Sequence, residues 1–286
     1  MVKKRKLSVS QGLIYLVLSA WALSTIYPFF WVIVNSFKEK RYIRSDTFAL
    51  PLGEMFTLDN YRTAFERVDI LGAYRNSLII SITVTAVVVL LAGFAAYAMA
   101  RYRFRGRRAL QGLIIASMMF PVFSTIIPVF RMLYSWGLVR FESVFYSLLC
   151  VSLPQIAGNL SFAIVVLTGY IRSIPVEMEE AAYLEGYNVF QIFFRIVWPL
   201  GRPSFATVAI FTFLWSYNDL FTQMFFLRNK RTYSITRLLA EISSQAGVNY
   251  GLMVAAVVLV VVPVLLVYIL LQKNIIKGMT VGALKG

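Results

Sequence analysis

Six stretches of this 286-residue chain are apolar over about 20 residues or more, the length a helix needs to cross the hydrocarbon of a bilayer. They fall at roughly 12–35, 76–100, 109–134, 144–170, 204–227 and 251–272. The pattern predicts an all-α integral membrane protein with six transmembrane helices, residues 1–286 forming a single transmembrane domain. The first run continues past Ala20-Trp21-Ala22 through Tyr27, Phe29, Phe30, Trp31 and Val34. It is too long for the apolar region of a signal peptide, so an uncleaved first span is expected. Pro121 and Pro128 interrupt the third span, Pro154 and Gly158 the fourth, and Pro263 the sixth. Proline frees a backbone carbonyl, and hydrocarbon tolerates this only where protein or a cavity satisfies it. A translocation pathway and ordinary packing kinks both fit.

Two polar connections stand out. The longest, Ser36 to Arg75, carries Leu58, Tyr61, Phe65 and Val68 at the spacing of one helical face. It reads as a lid packed on the outer surface or as a contact for a delivery protein. The other, about 173–200, separates the fourth and fifth spans and predicts a helix-turn-helix. Pro175 suits a first helical turn. Glu177, Glu179 and Glu180 load that turn with the charge a helix dipole favours. Gly186 is suited to a left-handed C-terminal stop. Asn188 and Gln191 have capping-box spacing. A second apolar helix through Phe190, Ile192, Phe193, Ile196 and Val197 is expected to end at Pro199.

Charge orients the chain. Its formal net charge is +15, but the basic residues crowd beside spans. This points to lipid headgroups and topology rather than to nucleic acid. Lys3-Lys4-Arg5-Lys6 and the Arg101–Arg108 cluster place the N-terminus and the 101–108 turn in the cytoplasm. The 173–200 hairpin and the tail after Gln272 then lie on the same side. Arg228, Lys230, Arg231 and Arg237, in an outer loop, run against the rule.

Candidate chemistry is sparse. With no histidine and one cysteine, Cys150, the chain lacks the commonest metal ligand and general base and cannot form an internal disulfide. No catalytic, cofactor-binding or metal site is expected. Asp219 is the only acid in any predicted span and sits within Trp215-Ser216-Tyr217-Asn218-Asp219. An intramembrane carboxylate is costly to keep and marks a functional hypothesis. Aromatic planes beside amides and hydroxyls are also what a sugar requires. Capping or pairing with a neighbouring span is the structural alternative. Gln155 and Asn159 share a helical face and could line one cavity or bond between helices.

Glu180-Ala181-Ala182, Gly186, Ile196 and Pro199 occur at the spacing of the EAA loop, and in this the chain resembles ABC importer permeases. Trp198 stands where that motif usually has Leu. The resemblance implies a cytoplasmic loop whose short coupling helix sits in a groove of an ATPase subunit. Asn60-Tyr61-Arg62, Asn76-Ser77-Leu78, the Asn218-Asp219 segment and the Gly-rich end Gly278–Gly286 are similar to the maltose-type branch. That branch implies uptake of a sugar, foremost an oligosaccharide, with polyols or glycerol phosphate as alternatives. It also implies a second related permease, two ATPase subunits that bind the ATP, and an extracytoplasmic solute-binding protein. The host membrane would be bacterial or archaeal. There is no Gly-Lys dipeptide and hence no Walker A loop, so the chain is expected to lack an ATPase site. A secondary transporter, the remaining alternative, would need buried ion-coupling groups near the midplane, and only the off-centre Asp219 is available.

Overall fold

The computed structural model describes residues 9–244 and 249–283. Among them regular structure is helical, apart from an isolated antiparallel bridge between Lys38 and Phe56. The helices are α1 (Val9–Ser36), α2 (Lys40–Ser45), α3 (Asp59–Arg67), α4 (Ile70–Arg101), α5 (Arg107–Ser117), α6 (Val122–Ser135) and α7 (Val144–Ile171). They continue as α8 (Glu177–Leu184), α9 (Val189–Ile192), α10 (Trp198–Asn218), α11 (Leu220–Phe226), α12 (Ile235–Ser244) and α13 (Tyr250–Ala283). The Lys3–Lys6 cluster and the last residues of the Gly-rich end, 284–286, lie outside the described residues.

Four of the predicted spans are long, apolar continuous helices: Ser10–Ser36, Ile70–Arg101, Val144–Ile171 and Val189–Asn218. A shorter apolar stretch covers Tyr250–Leu266. The expected third span, 109–134, is two helices, because α5 ends at Ser117 and Pro121 caps α6 in an extended conformation. Pro128 and Pro154 stay inside their helices. The expected fifth span, 204–227, begins earlier, at Trp198, and breaks at Asp219, where α11 starts.

The contacts divide the chain into two compact units, one drawn from Met1–Val68 and Glu241–Pro263, the other from Asp69–Ala240 and Val264–Gly286. In the first, α1 leaves its apolar side chains exposed all round, Trp21 at 74%. A helix apolar on every side is built for hydrocarbon or a partner span. The segment after α1 is tied around Lys38, which is wholly buried. Its ammonium donates to Asn35 Oδ1 at 3.1 Å and to the carbonyls of Asp46 and Thr47 at 2.8 and 3.0 Å. Burial pulls its pKa below the ordinary lysine value, against an opposing pull from Asp46. Asn60 donates to the carbonyls of Ser36 and Lys38 at 2.9 and 2.7 Å. Tyr61 shares a 2.6 Å hydrogen bond with Ser36. The helix expected around 58–68 is therefore present as α3, with its buried side turned partway from the expected face, Tyr61 and Val68 being half-buried. Its buried side is Asn60 and Ala64, while Leu58 and Phe65 are exposed. Hydrogen bonds to the chain after α1 outrank the apolar periodicity.

The core of the second unit is α4 packed on α7 and α10. Ile80, Val84, Val88, Ala92 and Ala96 recur every fourth position on α4 and are fully buried. The small residues of this ridge, Ala92 and Ala96, let helix backbones approach closely in a membrane. A Cβ on Gly93 would meet the rings of Phe205 and Phe193 at 3.0 and 3.1 Å.

Candidate functional site

The 177–199 hairpin follows its local chemistry closely. The acidic first turn of α8 is formed by Glu177, Glu179 and Glu180. Pro175 does not enter that turn; Val176 is the cap and Pro175 precedes it. At the other end Gly186 is left-handed, with φ +86. Gly186 N donates to Tyr183 O and Tyr187 N to Ala182 O, both at 3.0 Å. These paired bonds are the Schellman arrangement, which satisfies carbonyls the helix leaves open. Asn188 and Gln191 then close a reciprocal capping box, with bonds of 2.8 and 2.9 Å.

Beyond it the expected stop at Pro199 does not occur. The chain passes from α9 through a π-helical turn, Phe193–Val197, straight into α10. Trp198 N reaches back five residues to Phe193 O, and Pro199, which has no N–H to place, falls in the first turn of α10. Trp198 stacks on Phe205 with centroids 4.4 Å apart. Phe193, 1% exposed, is ringed by Phe94, Tyr97, Phe194, Trp198 and Phe205. An aromatic cluster thus fixes the return of the hairpin against α4 and α10.

The three glutamates of the first turn of α8 look alike in sequence but not in space. Glu180 and Ala181 are exposed, and so is Gly186; Glu179 and Ala182 are buried and Ile196 is half-buried. Tyr183 and Leu184 project at the end of α8 with 69% and 88% exposure. Glu179 is held by α4. Arg101 Nη2 lies 2.7 Å from Glu179 Oε1, its Nε donates to the same oxygen at 2.7 Å, and Tyr97 Oη donates to Oε2 at 3.0 Å. Arg101 Nη2 also donates to Ile174 O at 2.9 Å. Nothing in the spacing of the acids singled out Glu179; its i+3 partner Ala182, on the same buried face, is the available signal.

At the α10–α11 break a second polar cluster assembles. Asp219 Oδ1 accepts from Thr222 N at 3.0 Å and so caps α11. Its Oδ2 accepts from Gln155 Nε2 on α7 at 2.8 Å. Ser216 Oγ donates to Gln155 Oε1 at 2.6 Å. Gln223, wholly buried, donates to Ser216 O at 3.0 Å and accepts from Thr236 at 2.5 Å and from Ser234. Asn76 donates to the carbonyls of Arg231 and Tyr233 at 2.9 and 3.0 Å, and Ser77 accepts from Ile235 N at 2.8 Å. Gln155 and Asn159 do lie together, but through a backbone bond, Asn159 Nδ2 to Gln155 O at 2.8 Å. Tyr217 is buried, whereas Trp215 is 47% exposed and packs edge-on to Phe162 at 4.9 Å. Asn218 is exposed and donates to Leu214 O. Gln223, Ser234 and Thr236 went unmarked in the sequence because scattered neutral polar residues carry no spacing signal. The basic residues after α11 also find partners: Arg228 lies over the rings of Phe130 and Phe141, and Arg237 over Tyr233.

Residues 88–281 match the family described as "Binding-protein-dependent transport system inner membrane component", and the chain belongs to that family. It is similar to the diacetylchitobiose uptake system permease protein NgcG of Streptomyces coelicolor, 32% identical over 99% of this chain and 90% of the relative. It is also similar to the galactooligosaccharides transport system permease protein GanQ of Bacillus subtilis, 31% identical over 95% of this chain and 94% of the relative. A crystal structure of a bacterial ABC transporter involved in the import of alginate shares the fold. The TM-score is 0.71 at 24% identity, over 93% of this chain and 98% of that one. The protein is thus a membrane-embedded permease component of the ABC importer family.

Proposed function

We propose that the chain is one permease subunit of an ABC importer for an oligosaccharide, driven by ATP hydrolysis on separate ATPase subunits. The permeases named above serve uptake of short sugar oligomers, which favours that substrate class. The observation carrying the coupling role is the hairpin. Its inner face is fixed to α4 through Glu179, while Tyr183, Leu184, Glu180 and Ala181 stand free at a rigidly capped end. Such a face suits insertion of α8 into an ATPase groove, with Gly186 supporting the bend and Ile196 and Pro199 its return to α10. The chain itself holds no cofactor in this reading.

The remaining assembly follows from the same reading. A second, related permease completes the pathway, two ATPases bind the ATP, and an extracytoplasmic solute-binding protein delivers sugar. Six crossings result if α5 and α6 together make the third and α13 the last. Both termini, the 101–108 turn and the hairpin then face the cytoplasm. Along the pathway Trp215 and Asn218 offer an exposed aromatic plane and amide to a sugar. Gln155, Asn159, Tyr217 and Asp219 frame them from behind.

The test is attachment and turnover in the reconstituted importer. Leu184→Asp places a charge on the most exposed apolar side chain of α8. It should abolish ATPase pull-down and sugar-stimulated hydrolysis while leaving the permease pair assembled. Full attachment and stimulation in that variant would remove α8 as the contact.

A further inference from the structure

We infer that Arg101 and Tyr97 are positioning residues for energy coupling, and that their buried contact with Glu179 makes α4 the element that receives the motion of α8. This rests on the coupling role proposed for the hairpin and adds to it the route by which force enters the spans.

The geometry is specific. Arg101 is the last residue of α4 and Tyr97 sits one turn earlier, so both project toward one end of that helix. Glu179 is on the first turn of α8, and its side chain is 8% exposed; that of Arg101 is 12% exposed. Both carboxylate oxygens are used, one by the guanidinium and the other by the phenol. The same guanidinium holds Ile174 O, in the turn that links α7 to α8. One side chain therefore ties the end of α4 to the base of the hairpin and to its approach. The other arginines of the cluster differ. Arg103, Arg105 and Arg108 are exposed, as topology signals should be.

The contact is also placed to transmit. α4 carries the buried ridge of Ile80, Val84, Val88, Ala92 and Ala96 against α7 and α10. Tyr97 additionally touches Phe193 at 5.7 Å, so α4 grips the hairpin at its first helix and again at its return. A buried, charge-assisted contact is short and directional. A displacement of α8 cannot slide past it without breaking it.

The test uses the complete importer in proteoliposomes with its binding protein. Glu179→Gln keeps size and Arg101→Gln shortens the side chain, and each removes one charge of the pair. Both should leave ATPase attachment intact and reduce sugar-stimulated hydrolysis and uptake roughly tenfold, within the usual range of coupling between sites. Tyr97→Phe should show a smaller loss in the same direction. The exchange Arg101→Glu with Glu179→Arg should restore part of the stimulation lost in either single reversal. Recovery of stimulation per assembled complex, with the amount of complex unchanged in the single variants, separates a coupling contact from one that merely helps the chain fold. Stimulated turnover within twofold of the parent in both Gln variants would overturn the proposal. So would a loss that tracks a fall in assembled complex, with activity and complex recovering together in the exchange. Leu184→Asp separates the two layers. If it detaches the ATPase while Arg101→Gln behaves as the parent, only the latch fails. If it leaves the ATPase attached, the hairpin reading fails.

Discussion

Asp219 shows how the lone acid of the predicted spans is accommodated. Its two oxygens accept from Thr222 N and from Gln155 Nε2, and Gln155 in turn accepts from Ser216. The carboxylate therefore caps α11 and pins it to α7, the structural alternative to direct substrate contact. Asp219→Asn keeps a competent cap but presents an amide donor to the amide donor of Gln155. Loss of that bond should cost about 1–3 kcal/mol, lowering the thermal midpoint of the purified complex and slowing uptake at limiting sugar. Adding Gln155→Glu inverts the pair, because the new carboxylate accepts both from the amide introduced at position 219 and from Ser216. Recovery of stability in the double variant is the expected result; unchanged uptake in the single variant would assign the charge no functional part. The need for a partner was legible in the sequence, since an acid in an apolar run requires one. Which partner was not, because Gln155 lies 64 positions away. Lys38 is the converse case. Beside a span, a lysine reads as a topology signal, and only the fold reveals three oxygens enclosing its ammonium.

At the scale of elements the hairpin was the most legible part, because its grammar is local. Gly186, Asn188 and Gln191 specify a stop, a turn and a restart within six residues, and each bond expected of them is present. What was not legible is the continuation through the π-helical turn. Proline at 199 reads as a break, yet it can open α10 because the preceding turn is widened by one residue. Gly186 allows a sharp test of the local part. A Cβ there meets nothing within 4 Å, so any penalty is conformational and arises from φ +86. Gly186→Val should strain the backbone by roughly 1–3 kcal/mol and weaken ATPase attachment. Gly186→Asn should be tolerated, since Asn visits the left-handed region more readily. Equal attachment in the two variants would mean the bend itself is dispensable. The broken third and fifth spans follow the same lesson. Apolar length marks where the membrane is, while Pro121 and the Asp219 cap decide where helices stop inside it.

For the molecule as a whole, the proposed six-crossing arrangement makes a two-sided prediction. The only native cysteine, Cys150, is 1% exposed and its thiol donates to Leu138 O at 3.1 Å. Its burial keeps reagent from the sulfur, so the parent chain should be silent toward a membrane-impermeant thiol reagent. Reporter cysteines can therefore be introduced without removing it. Arg105→Cys lies in the exposed turn after α4 and should be labelled only when the reagent reaches the cytoplasmic face. Leu52→Cys, 72% exposed in the segment between α1 and α4, should be labelled from outside in intact spheroplasts. The two positions are separated by α4 alone among the long apolar helices, so opposite accessibility is required if that helix crosses. Labelling of both from one side would remove α4 as a crossing. If both are labelled from outside, the basic turn, and with it the Glu179 contact and the hairpin, would lie on the wrong side for an ATPase that works in the cytoplasm.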